Sequence, residues 1–584
     1  MNIAFSRRKR LFIAAGLSIG LVIGVAFLAP THGYYLNIMM QAATYAIAVA
    51  GVVIVLGYCG QLSLCQAAFL GIGAYCVAIG TADHGLPFFL ALAIGVGVTG
   101  LGGVLLGLAT LRLGGHYLAM VTIGLQMIVT MVLTNWIGFT HGPDGVSGIQ
   151  RPMLGPLDLT GGPAYLALCL GFLVLVTAYA AFLKGSRLGR AMQAVRDNEI
   201  AASTCGINVF RTKTVAFGIS AALGGLGGGL FAGAFAYISP DQFTLNESIV
   251  LLTMALLGGV QSPIGALLGT MMLVLLPEWL RFLRQAYMAV YGAAVIAIII
   301  FLPRGLWGLL TDRFARPARR DTGPVSPLPL LSRTGRMSDS AVLEIDGLAK
   351  HFGGLKALDG VDMRVRKGSV HALIGPNGSG KTTLLNVVTG LYGATAGTVR
   401  LGGRDVTALP PHARARLGMC RTYQNIRVFR DLSVLDNVII GAERDGNDVS
   451  GTDATADRAL AALDFVGLRD VAALPVSALP YGHQRYVEIA RALAGSPEVL
   501  LLDEPAAGLN LTEKGEMAAL LKRLKGHGMT IVIIDHDMKL IEQVADHITV
   551  LNFGRRIADG APRAVLSHPD VVAAYLGEPQ NEAA

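Results

Sequence analysis

Nine consecutive residues in the second half of the chain, Gly375-Pro376-Asn377-Gly378-Ser379-Gly380-Lys381-Thr382-Thr383, have the types and order needed to hold a chain of phosphates. They fit the pattern G-x-x-x-x-G-K-[ST]. The glycines let backbone N–H groups turn inward around phosphate oxygens, and Lys381 reaches toward the β- and γ-phosphates. Thr382 offers a hydroxyl to Mg2+. The apolar run Val370–Ile374 reads as a strand before the loop, and Thr382–Thr389 reads as a helix after it. A helix N-terminus there adds positive potential. Chance matches to the pattern lack this strand–loop–helix setting. Gly375, Asn377, Gly378, Ser379, Gly380, Lys381, Thr382 and Thr383 are therefore the expected nucleotide contacts.

Hydrolysis needs a metal ligand, a base and a group that watches the terminal phosphate. Val499–Leu502 is a buried-strand pattern ending in Asp503-Glu504. Asp503 is placed to hold Mg2+, directly or through water, and Glu504 to polarise the attacking water. Alone, an apolar strand ending in Asp-Glu is common; downstream of a phosphate loop it acquires meaning. Ile531–Ile534 reads as another buried strand, followed by Asp535-His536-Asp537. A histidine after a strand is more often structural, but His536 stands where a γ-phosphate contact is required. Gln424, within Arg421-Thr422-Tyr423-Gln424-Asn425, has the reach to sense Mg2+ and the attacking water.

These residues need a rigid α/β frame, and the pattern after Leu343 alternates strand-like and helical segments as such a frame requires. The rest of the chain is different. Of 584 residues, 53% are hydrophobic and 15% charged, well short of the charge of a soluble domain. Nearly all long apolar runs lie before residue 305, and most of the charge follows it. Apolar runs long enough to cross a bilayer occur near Leu11–Leu28, Leu36–Leu56, Leu62–Gly80, Leu86–Thr110, Tyr117–Ile137, Ala164–Leu183, Thr214–Tyr237, Ile249–Leu276 and Tyr287–Leu302. Arg7, Arg8, Lys9 and Arg10 precede the first run and place the N-terminus in the cytosol. Lys184, Arg187, Arg190, Arg196, Arg211 and Lys213 place the Lys184–Lys213 loop there too, whereas Gly138–Gly162 faces outward.

A cytosolic N-terminus and a cytosolic nucleotide site require an even number of crossings. The long eighth run resolves the parity. It carries Gly258-Gly259-Val260-Gln261-Ser262-Pro263-Ile264-Gly265 at its middle, and these residues break helices. Two short helices are expected there, either a re-entrant pair or two tilted spans. Broken backbone at membrane depth is tolerated only where protein or a cavity satisfies it, so the break is a candidate part of a pathway as well as a plain kink. The spans are almost free of ionisable groups, which argues against proton or sodium coupling. The run Gly224-Gly225-Leu226-Gly227-Gly228-Gly229 reads as close helix packing.

Residues 305–341 read as a basic, Pro-rich cytosolic linker, with Arg313, Arg316, Arg319 and Arg320 able to lie near anionic membrane lipid. The expected division is 1–304 membrane domain, 305–341 linker and 342–584 nucleotide domain. The net charge of +8 raises the question of nucleic acid, but no basic, aromatic-interleaved stripe supports it. Six cysteines, Cys59, Cys65, Cys76, Cys169, Cys205 and Cys420, show neither metal-ligand spacing nor a disulfide framework.

The nucleotide half resembles the ABC ATPase family. Leu479-Pro480-Tyr481-Gly482-His483-Gln484-Arg485 stands where the family has its LSGGQ signature, ahead of a helix-like Tyr486–Leu493. Pro480 replaces the serine, Tyr481 the first glycine and His483 the glutamine, leaving Gly482 as the retained glycine. The resemblance implies that Gly482 and its neighbours face ATP held by an opposing subunit, and that Phe352 stacks on adenine. Ala506-Ala507-Gly508-Leu509-Asn510 matches the family's D-loop.

The likeness narrows to the branched-chain amino acid ABC importers of the hydrophobic amino acid uptake family. It rests on Phe352-Gly353-Gly354-Leu355, Arg421–Arg427, Leu479-Pro480-Tyr481-Gly482 and Ala574-Tyr575-Leu576-Gly577-Glu578. The first half resembles that family's permease through Gly57–Phe69, His141–Ile149 and Gly189–Glu199. The chain thus looks like a permease of the M type fused to an ATPase of the G type. The fold expected is an all-α polytopic membrane permease of 8–10 helices followed by an α/β P-loop ABC ATPase.

The resemblance implies ATP and Mg2+ as cofactors and a multi-pass place in the cytoplasmic membrane. It also implies a second permease, a second ABC ATPase and an extracytoplasmic solute-binding protein as partners. Gly189–Cys205 resembles the helix through which such permeases meet their ATPases. Within import, urea, amides and aromatic acids stand beside branched-chain amino acids as cargo. An exporter would carry long cytosolic helical extensions, and here the cytosolic loops are short. An ATP-gated regulator that hydrolyses ATP without concentrating solute is the remaining alternative.

Overall fold

In the computed structural model the described residues are 33–110, 116–154, 157–279, 338–443 and 452–576, with scattered helical positions between 290 and 308. The expected first span Leu11–Leu28 and most of Tyr287–Leu302 and of the linker lie outside them. The chain divides into two compact units. One comprises Met1–Arg196 with Val209–Arg316; the other comprises Asp197–Asn208 with Pro317–Ala584.

The first unit is helical. Its helices are α1 (Gly33–Val52), α2 (Gln66–Ala82), α3 (Phe88–Thr110), α4 (His116–Asn135), α5 (Gly162–Gly185) and α6 (Arg187–Asp197). A short helix α7 (Glu199–Thr204) belongs to the second unit, and α8 (Val209–Phe235), α9 (Leu245–Gly258) and α10 (Pro263–Trp279) follow in the first. Among the described residues five helices are long and apolar enough to span a membrane, or six if the bent pair α9–α10 counts as one. The run expected as a span at Leu62–Gly80 differs. A π-helical turn at Val53–Tyr58 closes α1, Gly60 takes φ of 71°, and α2 starts only at Gln66 with 17 residues. Leu62, Leu64 and Cys65 lie in this break, so the expected span starts four residues ahead of the helix.

Polar side chains hold the start of α2 inside the bundle. Ser248 Oγ accepts from the Ala67 N–H at 3.0 Å, and Gln126 Oε1 accepts from the Ala68 N–H at 2.7 Å. Those N–H groups have no helical partner, and buried ones must find another acceptor.

The expected helix break appears where the glycines are. α9 and α10 meet at 119° across Gly259–Ser262. A Cβ on Gly258 would stand 1.9 Å from the Gly265 carbonyl oxygen, so only glycine permits the elbow. The Lys184 ammonium donates to the exposed Gln261 carbonyl at 2.6 Å.

α8 packs on α1, α2 and α3 through its glycine run. A Cβ on Gly228 would meet the Leu70 carbonyl oxygen at 1.8 Å, and one on Gly225 would meet Thr99 Oγ1 at 2.1 Å.

Among its described residues the second unit holds two sheets. β1 (Ser338–Phe352), β2 (Leu355–Lys367), β4 (Ala396–Leu401) and β5 (Arg404–Asp405) form an antiparallel sheet in the order β2-β1-β4-β5. The second sheet has the order β6-β7-β8-β3-β9-β10. Its strands are β3 (Val370–Ile374), β6 (Met419–Arg421), β7 (Val499–Asp503), β8 (Ile531–Ile534), β9 (His547–Asn552) and β10 (Arg555–Gly560). The first five run parallel, and β10 closes the edge antiparallel.

β3, β7 and β8 are buried at every position, which is why they read as unbroken apolar runs. Leu343, Ile345, Val361, Leu373, Leu501 and Val532 of both sheets share one core with Leu384, Leu385 and Val388 of the helix α11 (Lys381–Val388). Each such side chain contributes about 1.5–3 kcal/mol by leaving water.

Gly228→Ala is expected to destabilise the detergent-solubilised chain by about 1–3 kcal/mol through overpacking. Gly171→Ala, with no atom within 4 Å of its Cβ position, should be neutral or mildly stabilising in the same thermal melt. Equal melting of the two variants would contradict this packing.

Candidate functional site

The parallel strands bring the residues picked out by their chemistry to one edge. β3 ends at Ile374 and leads into the phosphate loop; β7 ends at Asp503 and β8 at Ile534. Asp503 pairs in register with Ile534, so Glu504 and Asp535 leave the sheet side by side. Ligands of open parallel sheets bind at such carboxyl ends.

Gly375, Gly378 and Gly380 adopt φ of 151°, 80° and 102°, conformations costly for residues with a Cβ. Asn377 and Gly378 are exposed, Ser379 is buried, and Gly375 and Gly380 are intermediate. Lys381 starts α11 and folds back over its own loop, donating to the carbonyls of Gly375 at 2.7 Å and Pro376 at 2.8 Å. Burial holds its ammonium below the usual lysine range, against the pull of Glu504 and Asp503. Thr382 is exposed and Thr383 half-buried in the first turn.

Glu504 sits at φ of 48°, a sparsely populated conformation that costs about 1–3 kcal/mol in a non-glycine residue. Its N–H donates to the Ile534 carbonyl at 2.7 Å, and its own carbonyl accepts from Ala507 N–H at 3.1 Å. Gln424 Nε2 donates to Glu504 Oε2 at 3.0 Å. His536 Nδ1 lies 3.8 Å from the same oxygen, with its ring largely exposed. The three side chains expected to act on water and γ-phosphate therefore meet at one carboxylate.

Asp503 lies behind them, 4% exposed, with Oδ2 paired to Arg421 Nη2 at 2.9 Å. Carboxylate and hydroxyl oxygens, such as those of Asp503 and Thr382, are the hard donors that suit Mg2+. Phe352 stands at the end of β1 with its ring exposed, edge-on to Tyr392 at 5.4 Å.

The signature residues enter the helix earlier than the sequence pattern suggests. After α12 (Pro411–Arg416), α13 (Val434–Ala442) and α14 (Thr452–Phe465), α15 (Tyr481–Ala494) begins at Tyr481 rather than Tyr486. Pro480 is its N-cap, and no side chain caps the first turn. Pro480 leads into the helix with φ of −55° but, unlike serine, offers no side-chain oxygen to the first-turn N–H groups. Gly482 is buried, and a Cβ there would lie 3.0 Å from Glu513 Oε1. Tyr481 packs over Gly508 of the D-loop, and Asn510 caps α16 (Leu511–Gly526) in a reciprocal box with Glu513.

Four buried charges lie in the motifs the sequence offers but receive no role from it. Arg485, Glu488 and Arg491 form a row on α15, with Arg485–Glu488 at 3.2 Å and Arg491–Glu488 at 3.6 Å. Burial pushes the Glu488 carboxyl up, opposed by Arg491 and Arg485. Arg485 also donates to the carbonyls of Tyr423 and Gln424, the latter at 2.7 Å, which ties the glutamine loop to the signature helix. The three-residue spacing of these charges on one helix face was the available signal. Arg421 is the fourth. Tyr575 also contributes: its hydroxyl accepts from the Gly375 N–H at 2.8 Å. Gly577 and Glu578 lie outside the described residues.

The family profile described as "Branched-chain amino acid transport system / permease component" matches residues 34–302. That of the ABC transporter matches 358–507, and that of the "Branched-chain amino acid ATP-binding cassette transporter" matches 555–580. The high-affinity branched-chain amino acid transport ATP-binding protein BraF of Pseudomonas aeruginosa is 41% identical over 250 residues, 41% of this chain and 98% of the relative. The chain belongs to the branched-chain amino acid ABC transporter family. In this family member a permease and an ABC ATPase share one polypeptide. The LivG ATP-binding protein of Escherichia coli is 40% identical over 41% of this chain and 98% of its own length. A solved nucleotide-free ATP-binding cassette from an ABC transporter aligns with 33% identity over 41% of this chain and all of its own, at a TM-score of 0.38.

Glu504→Gln keeps the shape and the Gln424 contact but removes the carboxylate. ATP turnover by the transporter should fall by about 10²–10⁴-fold, with ATP binding retained. Phosphate release at the parent rate would contradict the assignment.

Proposed function

We propose that the chain is one half of an importer that uses ATP to carry branched-chain or related small amphipathic amino acids across the cytoplasmic membrane. The observation that supports this reading most is the co-occurrence in one chain of a permease region and an ATPase region, both of which match the same transport family. The proposed boundaries are 1–304 for the permease, 305–341 for the linker and 342–584 for the ATPase. The proposed partners are a second permease, a second ATPase and an extracytoplasmic binding protein. The N-terminus and ATPase are proposed to be cytosolic, on the strength of the basic Lys184–Lys213 loop.

The steps follow from the residues. ATP phosphates entering the loop take over the Lys381 ammonium from the carbonyls of Gly375 and Pro376. Backbone N–H groups from Asn377 to Thr383 supply the rest of the cradle. Phe352 stacks on the base. A Mg2+ ion held by Asp503, Thr382 and Gln424 would offset phosphate charge when bound. Glu504 takes the proton of the attacking water, with Gln424 orienting its carboxylate and His536 reaching the γ-phosphate.

One chain supplies one phosphate loop and one signature turn, so Gly482 completes the site of a second ATPase. The uncapped N–H groups of the first turn of α15 replace the missing serine. Closure of two such sites moves the Asp197–Asn208 segments, and the permease alternates between outward- and inward-facing forms, with the Gly259–Ser262 elbow part of its pathway.

Titrating the purified binding protein with amino acids identifies the cargo. Vesicles with that protein outside and ATP inside should then accumulate leucine, isoleucine or valine. Accumulation only in inverted vesicles would contradict import, and a binding protein selective for urea or amides would contradict the cargo.

A further inference from the structure

The segment Asp197–Asn208 sits within the permease sequence yet belongs to the compact unit of the ATPase. It is seated there by side chains near Gln424. Thr204 Oγ1 and the Tyr423 hydroxyl share a hydrogen bond of 2.9 Å. Arg427 Nη1 donates to Asn198 Oδ1 at 3.1 Å, the Asp431 N–H to Asp197 Oδ2 at 3.2 Å, and Arg416 Nε to the Gly206 carbonyl at 3.2 Å. Tyr423 is buried, and the guanidinium carbons of Arg421 and Arg427 lie over its ring at 5.0 and 4.8 Å from the centroid.

Arg421 carries this contact inward. Its side chain is 2% exposed and pairs with Asp503 at 2.9 Å. Nη1 donates to Asn386 Oδ1 of α11 at 2.6 Å. Nε has no partner. A guanidinium serving only to neutralise a buried carboxylate gains by satisfying every N–H, because an open one is costly. Here one N–H is left open, while the flat face lies over an aromatic ring tied to the seated segment.

We infer that Arg421 is a positioning residue for the Asp503 carboxylate, and that its hold responds, through the Tyr423 ring, to how Asp197–Asn208 is seated. Gln424, the neighbour of Tyr423, contacts Glu504, whereas this line reaches the Asp503 carboxylate. It rests on the proposed role of Asp503 as a metal ligand.

The test uses the full chain in its assembly, bearing Glu504→Gln to stop turnover, with ATP and Mn2+ as the paramagnetic probe. Arg421→Lys keeps the charge but loses the planar fork, and should raise the half-saturating Mn2+ by roughly tenfold, as loss of groups behind a metal ligand does. Tyr423→Phe and Thr204→Val remove only hydroxyls far from the ion, and each should raise it roughly twofold or more. The double hydroxyl variant should match either single one, since both cut the same bond. Binding of a fluorescent ATP analogue without metal should be unchanged in the two hydroxyl variants.

If Arg421→Lys shifts Mn2+ binding but the hydroxyl variants follow the parent, the link to the seated segment is overturned. If Arg421→Lys also follows the parent, the positioning role falls with it. A parent assembly that takes up no Mn2+ with ATP would remove the metal assignment itself, and this inference along with it.

Discussion

Parallel pairing of β3, β7 and β8 decides where every phosphate-handling group stands. Each strand is short, apolar and buried on both faces, so none can slip without exposing hydrophobic side chains or stranding buried N–H groups. Their carboxyl ends therefore stay level. Lys381, Glu504 and His536 follow those ends by a few residues and inherit the alignment. The strained backbone of Glu504 is affordable only because the Ile534 carbonyl and the Ala507 N–H hold it from two sides.

Buried charge forms the second layer of organisation. Arg421 against Asp503, and Arg485 and Arg491 against Glu488, are pairs whose partners cannot be removed singly without leaving an isolated ion in the interior. Such pairs contribute little net stability, but they fix one arrangement among several that an apolar core would allow. Here they tie the loop around Gln424 to the signature helix, while Tyr423 and Arg427 hold the segment Asp197–Asn208 beside them within one unit. The permease relies on the opposite economy. Its helices carry few charges and approach through glycines, with Gln126 and Ser248 satisfying the free N–H groups where α2 begins.

Local signals were legible in the sequence, and long-range ones were not. Val370–Ile374 and Ile531–Ile534 are strands at those bounds because buried parallel strands leave continuous apolar runs. The phosphate loop is legible because its glycines answer a backbone requirement. The elbow at Gly259–Ser262 is legible for the same reason. The break between α1 and α2 is legible in part: the apolar runs separate between Leu56 and Leu62, but Leu62, Leu64 and Cys65 extend the second run into backbone that is not helical. Gly189–Cys205 reads as one helical stretch, yet Asn198 leaves helical geometry and caps α7 with its side chain. The Arg421–Asp503 pair joins residues 82 positions apart, a separation that no local pattern encodes.

The central claim is that nucleotide turnover at this sheet edge moves solute through the helices of the same polypeptide. The direct measurement is solute uptake and phosphate release in proteoliposomes holding the complete assembly, with Lys381 changed to Ala in this chain and at the matching lysine of the proposed second ATPase. Both activities should fall together to background while the assembly stays intact. Uptake that continues at the parent rate after the lysines are gone would contradict the account.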